Sequence, residues 1–142
     1  MKKILFVCTG NTCRSPMAES IMKHLLNKKN VKDVKVSSCG IAAAEGQPMS
    51  ENAIKALKKM QIKPINHKSR QFKESFFDEY NLILTMTKQQ KEMFGGRKNV
   101  FSISEITSTA DISDPYGMPL ENYLITATML QNACLILLDT IK

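Results

Sequence analysis

Residues 4–16 read ILFVCTGNTCRSP, and this stretch decides the fold. Four apolar residues, 4–7, make a run suited to a short buried strand. The run stops at Cys8. A small polar loop follows and is closed by Arg14, Ser15 and Pro16. From Pro16 the period changes: Met17, Ile21, Met22, Leu25 and Leu26 recur near every 3.6 residues, which predicts a helix over 16–29. Ser15 is placed to cap that helix, and Pro16 to occupy its first turn. A strand, a tight polar loop and a helix in direct succession open an α/β unit.

The rest of the chain continues the alternation. VKVSSCGI at 34–41 alternates as a strand, and SENAIKALKKM at 50–60 reads as a helix opened by Ser50. A short helix is expected over 72–80, a buried strand over 81–87, a helix over 88–95 closed by Gly95, and a strand over 99–103. A long loop then leads to a terminal helix over 120–142. Strands alternating with helices imply parallel pairing and right-handed crossovers. The expectation is therefore an α/β fold in one domain, residues 1–142. Its core is a doubly wound, four-stranded parallel sheet with helices on both faces. Ligands in such sheets bind beyond the carboxyl ends of the strands, which puts the site at Cys8.

Bulk composition agrees with this and narrows the function classes. The chain has 142 residues, 43% of them hydrophobic, the size and apolar content of one packed domain. The apolar run at the N-terminus is too short for the core of a signal peptide, and no uninterrupted apolar run approaches the ~18 residues that cross a bilayer. A cytoplasmic protein with reduced thiols is expected, with no membrane partner. Cys8 and Cys13 are not joined by a second Cys/His pair at zinc-ligand spacing, so no metal is expected. The net charge of +7 is dispersed over helix faces and loops, without a recognition helix or aromatic platform, and no nucleic-acid partner is expected. An acidic or phosphorylated substrate suits that charge.

The loop itself has a chemistry. Residues 9–15 offer successive backbone N–H groups at the positive end of a helix, a nest of phosphate size, with Gly10 and Asn11 able to take positive φ. Arg14 adds a planar fork for two phosphoryl oxygens. Cys8 stands at the floor of the nest, so its thiolate is expected to be favoured and its pKa depressed. That arrangement aims a nucleophile at a bound phosphorus atom. The loop lacks the lysine of a nucleotide-binding P-loop and the spacing of a redox C-x-x-C. Leaving-group protonation needs an acid, and ADISDPYGMP at 110–119 offers Asp111 and Asp114. Pro115 holds Asp114 extended, so a rigid loop can aim its carboxyl over the cavity.

VCTGNTCRSPMAE near the start and DPYG near the end, in a chain of this length, closely resemble the low-molecular-weight protein-tyrosine phosphatases. The resemblance covers the whole chain. It implies that Cys8 attacks phosphorus to form a cysteinyl-phosphate, that Arg14 and the amides of Thr9, Gly10, Asn11, Thr12, Cys13 and Ser15 hold the phosphoryl oxygens, and that Asp114 is the general acid and then the base. It implies no cofactor, a phosphorylated protein as substrate, and a monomer. It further implies that Asn11, Ser15, Ser38 and His67 support the loop, and that Cys13 can form a reversible disulfide with Cys8. As a small buried residue, Cys13 also has a plain packing role. Cys39 and Cys134 are expected in the core.

Two positions bear on the substrate. Tyrosine-specific members commonly carry a bulky aliphatic residue where this chain has Thr12, and a second aromatic where it has Gly117. Thr12, in CTGNTCRS, resembles the bacterial protein-arginine phosphatases. A threonine hydroxyl accepts a guanidinium hydrogen bond, whereas an aliphatic wall leaves those donors unpaired. Tyr116 lines the rim in either case. Phosphoarginine is favoured, with phosphotyrosine the alternative. An arsenate reductase needs two further relay thiols, and residues 81–100 contain none. A sugar-transport phosphocarrier needs neither Arg14 nor a proton donor at Asp114.

Overall fold

Alternate residues of the run 4–7 enter different cores. The computed structural model, which describes residues 1–141, places Ile4 and Phe6 under one set of helices, and Leu5 and Val7 against the opposite layer. All four are fully buried, so this strand, β1 (Lys2–Cys8), is central. Burial on both faces is why the run is continuous rather than alternating.

β1 pairs in parallel with β2 (Val34–Gly40) on one side and with β3 (Leu82–Thr85) on the other. β4 (Val100–Ser102) joins β3, again in parallel, and the sheet order is β2-β1-β3-β4. Successive crossovers therefore leave β1 in opposite directions, and the crevice between them opens above Cys8. The four-stranded parallel α/β sheet is as the sequence led us to expect.

The helices in chain order are α1 (Arg14–Lys28), α2 (Glu51–Lys59), α3 (Phe76–Glu79), α4 (Lys88–Glu92), α5 (Ile103–Thr107) and α6 (Leu120–Ile141). α1 and α2 pack with α6 over the Ile4/Phe6 face. On the other face Phe72, Phe76, Phe77 and Phe94 form an edge-to-face aromatic cluster over Leu5 and Val7. α6 is long and apolar enough to match a membrane-crossing helix by length and composition, although polar residues break up its apolar run. Its Tyr123, Ala127, Leu130, Cys134 and Leu137 are buried in the core beside α1 and α2.

Element boundaries depart from expectation in instructive ways. α1 begins at Arg14 with Cys13 in the capping position and no side-chain cap. Ser15 is therefore not the cap; its hydroxyl is spent on Cys8. Ser50 does sit at the N-terminal boundary of α2, but it too forms no side-chain cap. The helix expected over 72–80 shrinks to α3: residue 71 bridges to Gly40 and the Phe72 N–H bonds the Gly40 carbonyl at 2.8 Å, so the chain still runs alongside β2 where the helix was expected to begin. The strand expected over 99–103 stops at Ser102, which caps α5 by a reciprocal box with Glu105. Of the terminal helix expected over 120–142, Lys142 lies outside the described residues.

Candidate active site

The loop after β1 is held in shape from below. Asn11 takes the left-handed conformation, φ 56, and Gly10 does not, so only one of the two residues expected to turn the chain does so. Asn11 is fully buried and its side chain does three jobs. Its Nδ2 donates to Ser15 Oγ (2.8 Å) and Ser38 Oγ (3.1 Å), while its Oδ1 accepts from the Arg70 amide at 3.0 Å. His67 Nε2 lies 2.6 Å from the Asn11 carbonyl oxygen. Those bonds offset the local cost of a non-glycine residue at positive φ.

The end of β2 is the loop's floor. Ile41 and Ala42 donate their amides to the carbonyls of Cys8 and Thr9, both at 2.9 Å. A β-carbon on Gly40 would meet the Thr9 carbonyl oxygen at 2.6 Å and the Ala43 β-carbon at 2.8 Å, so only glycine permits this approach. From the other side Gln90 of α4, itself buried, donates to Thr9 Oγ1 at 3.1 Å while its Oε1 accepts the Met86 and Thr87 amides.

Cys8 sits at the bottom of the loop, almost fully buried. Its Sγ lies 2.9 Å from Ser15 Oγ and accepts the Asn11 amide at 3.3 Å. Burial pushes the Cys8 thiol up, and the Ser15 hydroxyl and amide, the Arg14 charge and the Asn11 amide pull it back without offsetting the burial. The depressed pKa expected from the loop donors is therefore not found. Desolvation of the thiolate, a cost that sequence spacing does not reveal, outweighs them.

Arg14 is 5% exposed and preset. Its Nη1 donates to the Ile112 carbonyl at 3.0 Å, and its Nη2 lies 3.5 Å from Asp114 Oδ2. Ile112 is itself tied to the end of β3 through its amide and the Met86 carbonyl, 3.0 Å apart. The two acidic candidates separate cleanly. Asp111 is consumed in the scaffold, accepting from Ser104 Oγ (2.8 Å) and the Lys88 amide (3.3 Å). Asp114 stands half-exposed at the cleft, its Oδ1 accepting the Tyr116 amide at 3.1 Å.

Cys8, the loop residues through Arg14, Asp114 and Tyr116 line one cleft of about 340 Å³, joined by Ala44 and Gln47. Thr12 is half-buried in this wall; among the described residues its hydroxyl finds no closer partner than Cys13 Sγ at 3.8 Å. Tyr116 is 75% exposed at the rim. Cys13 is buried, 3.4 Å from Ser50 Oγ and 3.5 Å from Tyr123 Oη; burial and Cys13 together push the Tyr123 hydroxyl up to about 12. Ser15 and Ser38 lie behind the cleft, in the network that carries Asn11. Among the described residues no group of His, Cys, Asp and Glu could hold a metal ion.

A buried cysteine at the bottom of the loop, with an arginine and a carboxylate lining the same cleft, agrees with the sequence resemblance. The model of the family described as low molecular weight phosphotyrosine protein phosphatase matches residues 3–142. The chain belongs to that family. It is accordingly a phosphatase, a hydrolase acting on phosphorylated protein. It is 41% identical over 128 residues to a protein-arginine-phosphatase of Geobacillus stearothermophilus, covering 85% of this chain and 83% of the relative. It is 37% identical over 145 residues to the low molecular weight protein-tyrosine-phosphatase PtpB of Staphylococcus epidermidis, covering 99% and 96%. A crystal structure of a YwlE mutant from Bacillus subtilis superposes with a TM-score of 0.92 at 32% identity, with 99% of each chain covered. The relatives thus carry both specificities in their names.

Several residues around this phosphatase's candidate site escaped the sequence reading, Gly40, Gln90 and Gln47 among them. Gly40 and Gln90 act on the loop from distant parts of the chain. Gln90 left one trace, the T-x-x-Q pattern of a capping box at 87–90. Gln47, in the cleft wall, left no signal.

Proposed function

We propose that this phosphatase hydrolyses phosphoarginine on proteins. The observation that carries the reading is Thr12. Its hydroxyl lies in the cleft wall that also carries Asp114, with no strong partner of its own among the described residues. A guanidinium entering the cleft would donate to that hydroxyl and to the carbonyl oxygen of the protonated Asp114 carboxyl, satisfying donors that an aliphatic wall would strand. Gly117, at positive φ and with open space where a β-carbon would be, adds no second aromatic wall.

In the proposed reaction the amides of residues 9–15 and the Arg14 fork hold the equatorial oxygens, and more tightly as charge builds on them. Cys8 Sγ attacks phosphorus as thiolate, the form that the Ser15 hydroxyl, the Arg14 charge and the Asn11 amide favour against burial. The S–P bond forms, the P–N bond breaks, and Asp114 delivers its proton to the departing guanidine nitrogen. The Asp114 carboxylate then takes a proton from water as the water oxygen attacks phosphorus. The S–P bond breaks, releasing inorganic phosphate and the Cys8 thiolate. Asn11, Ser15, Ser38 and His67 support the loop. Thr12 and Tyr116 select the substrate. Cys13 protects Cys8 through a reversible disulfide. The reading includes a monomer in the cytoplasm, without metal, cofactor, nucleic acid or membrane.

A second reading, phosphotyrosine, is favoured by Tyr116, whose exposed ring at the rim can stack on a phenyl leaving group. The deciding experiment compares kcat/KM for a phosphoarginine protein and a phosphotyrosine peptide, in wild type and Thr12→Ile. The arginine reading expects a phosphoarginine preference that falls at least tenfold in the variant, about 1.4 kcal/mol of lost pairing. A phosphotyrosine preference untouched by the substitution overturns it.

A further inference from the structure

Glu19 is the only acidic residue of α1, is 8% exposed, and has no part in the reaction described above. Both of its oxygens accept hydrogen bonds. Ser38 Oγ donates to Oε1 at 2.7 Å, and Lys23 Nζ donates to Oε2 at 2.6 Å. From Ser38 a directed chain runs to the nucleophile. Having given its proton to Glu19, Ser38 can only accept from Asn11 Nδ2. The Arg70 amide fixes which end of the Asn11 amide is oxygen, so the second Nδ2 hydrogen goes to Ser15 Oγ. Ser15, accepting there, keeps its own proton for Cys8 Sγ at 2.9 Å, with the Cys39 carbonyl at 3.3 Å as its other acceptor.

We propose that Glu19 is a positioning residue for the nucleophile: its carboxylate sets the polarity of the Ser38–Asn11–Ser15 chain, so that Ser15 donates to Cys8. The proposal rests on Cys8 being the nucleophile. A carboxylate is needed because two donors face it. A neutral amide at position 19 can offer oxygen to Ser38 or to Lys23, and its NH₂ then meets the other. With NH₂ toward Ser38, that hydroxyl is turned against Asn11, and the loop loses the alignment that frees the Ser15 proton. An ordinary helix-surface pair is a poor account of Glu19. Its side chain is 11% exposed against 46% for Lys23, and its inner oxygen is committed to Ser38.

The surroundings leave Lys23 as the counter-charge. His67, Lys68 and Arg70, from the segment between α2 and α3, line the same cavity of about 430 Å³ behind the loop. Arg70 Nε and Nη2 are engaged by the Ser38 carbonyl (3.0 Å) and Tyr80 Oη (2.7 Å), and His67 faces the Asn11 carbonyl. Arg14 lies on the cleft side, toward Asp114.

The test is the pH profile of Cys8 alkylation by iodoacetamide, located by mass spectrometry, alongside kcat and KM. Glu19→Gln is expected to raise the apparent Cys8 pKa by about one unit, tenfold less thiolate below it. kcat/KM is expected to fall in step through kcat. Adding Lys23→Met frees the amide to offer its oxygen to Ser38, and most of the shift is expected to return. That rescue is not expected if Glu19 merely stabilises α1. A folded Glu19→Gln with a wild-type alkylation profile overturns the proposal, as does a double variant no better than the single one. Should Glu19→Gln fail to fold, Ser38→Ala cuts the chain one link on, and an unshifted profile there is equally fatal. Cys8→Ser separates the two readings: turnover surviving it defeats the nucleophile assignment, whereas a silent Glu19 beside an inactive Cys8→Ser defeats only the relay.

Discussion

Asp114 keeps one oxygen on the Tyr116 amide and turns the other toward Arg14, so the carboxyl is aimed while still half-exposed. A group placed that way can hand a proton to a leaving atom without leaving its loop. Asp114→Asn is expected to lower kcat by roughly 10²–10³-fold with little change in KM, since the amide keeps the turn but carries no acidic proton. Steady-state kinetics on a substrate with a poor leaving group checks it; an equal loss in KM would mean that Asp114 binds rather than protonates. Cys13 makes a second residue-level prediction. Peroxide converts the Cys8 thiolate to the sulfenic acid, and the Cys13 thiol can attack that sulfur, expelling water and closing a disulfide. Peroxide-treated wild type is expected to recover most of its activity with dithiothreitol, and Cys13→Ala little. Equal recovery would leave Cys13 with its packing role alone. Cys8, Arg14 and Asp114 were legible because each stands in a short local motif whose residue types have few other uses together. Glu19 was not legible in that way: its partner Ser38 arrives from β2, and pairing across elements leaves no mark in sequence spacing.

Elements matter here chiefly for what their ends deliver. β2 ends at Gly40, beside Cys8 in the register, and the following amides brace the loop from below. Gly40→Ala would drive a β-carbon to 2.6 Å from the Thr9 carbonyl, a backbone atom that cannot swing away. The variant is expected to lose about 1–3 kcal/mol of stability as the loop and β2 are pushed apart. Activity is expected to fall by more than the unfolded fraction explains, because the displaced Thr9 belongs to the proposed phosphate nest. Urea unfolding together with kinetics on the folded protein tests this, and a stable, fully active variant would remove Gly40 from the site. The long elements were readable from period, since β1 and α1 bury enough side chains for the pattern to dominate. The short ones were not. α3 is cut back by a backbone bond to Gly40, and α5 was swallowed into a strand and a loop. Its one local sign was the S-x-x-E box at 102–105.

At the scale of the whole molecule, the core contains buried thiols besides Cys8, and these set a limit on the alkaline side. Cys134 on α6 is fully buried, with Sγ 4.0 Å from the Ala18 carbonyl of α1, and burial pushes its thiol up to about 12. Burial raises Cys39 to about 12 as well. In the unfolded chain both thiols ionise near the ordinary value of 9.0. The folded state therefore keeps protons that the unfolded state has lost, and the unfolded state binds fewer of them above pH 9. Stability from these groups is complete below that pH and drains away as pH rises toward 12, by up to about 1.4 kcal/mol per unit for each thiol. Cys134→Ala isolates one of them. At pH 7 the variant is expected to be less stable by about 1 kcal/mol, for the sulfur's lost packing against α1. By pH 10 to 10.5 the gap is expected to close and then reverse, because wild type alone carries the cost of holding that proton. Lysine deprotonation affects both proteins alike and cancels in the difference. Urea midpoints at pH 7, 9 and 10.5 measure it. A gap that stays constant across that range would mean that the Cys134 thiolate is tolerated at the α1–α6 contact, and that the core there opens to water more readily than its packing implies.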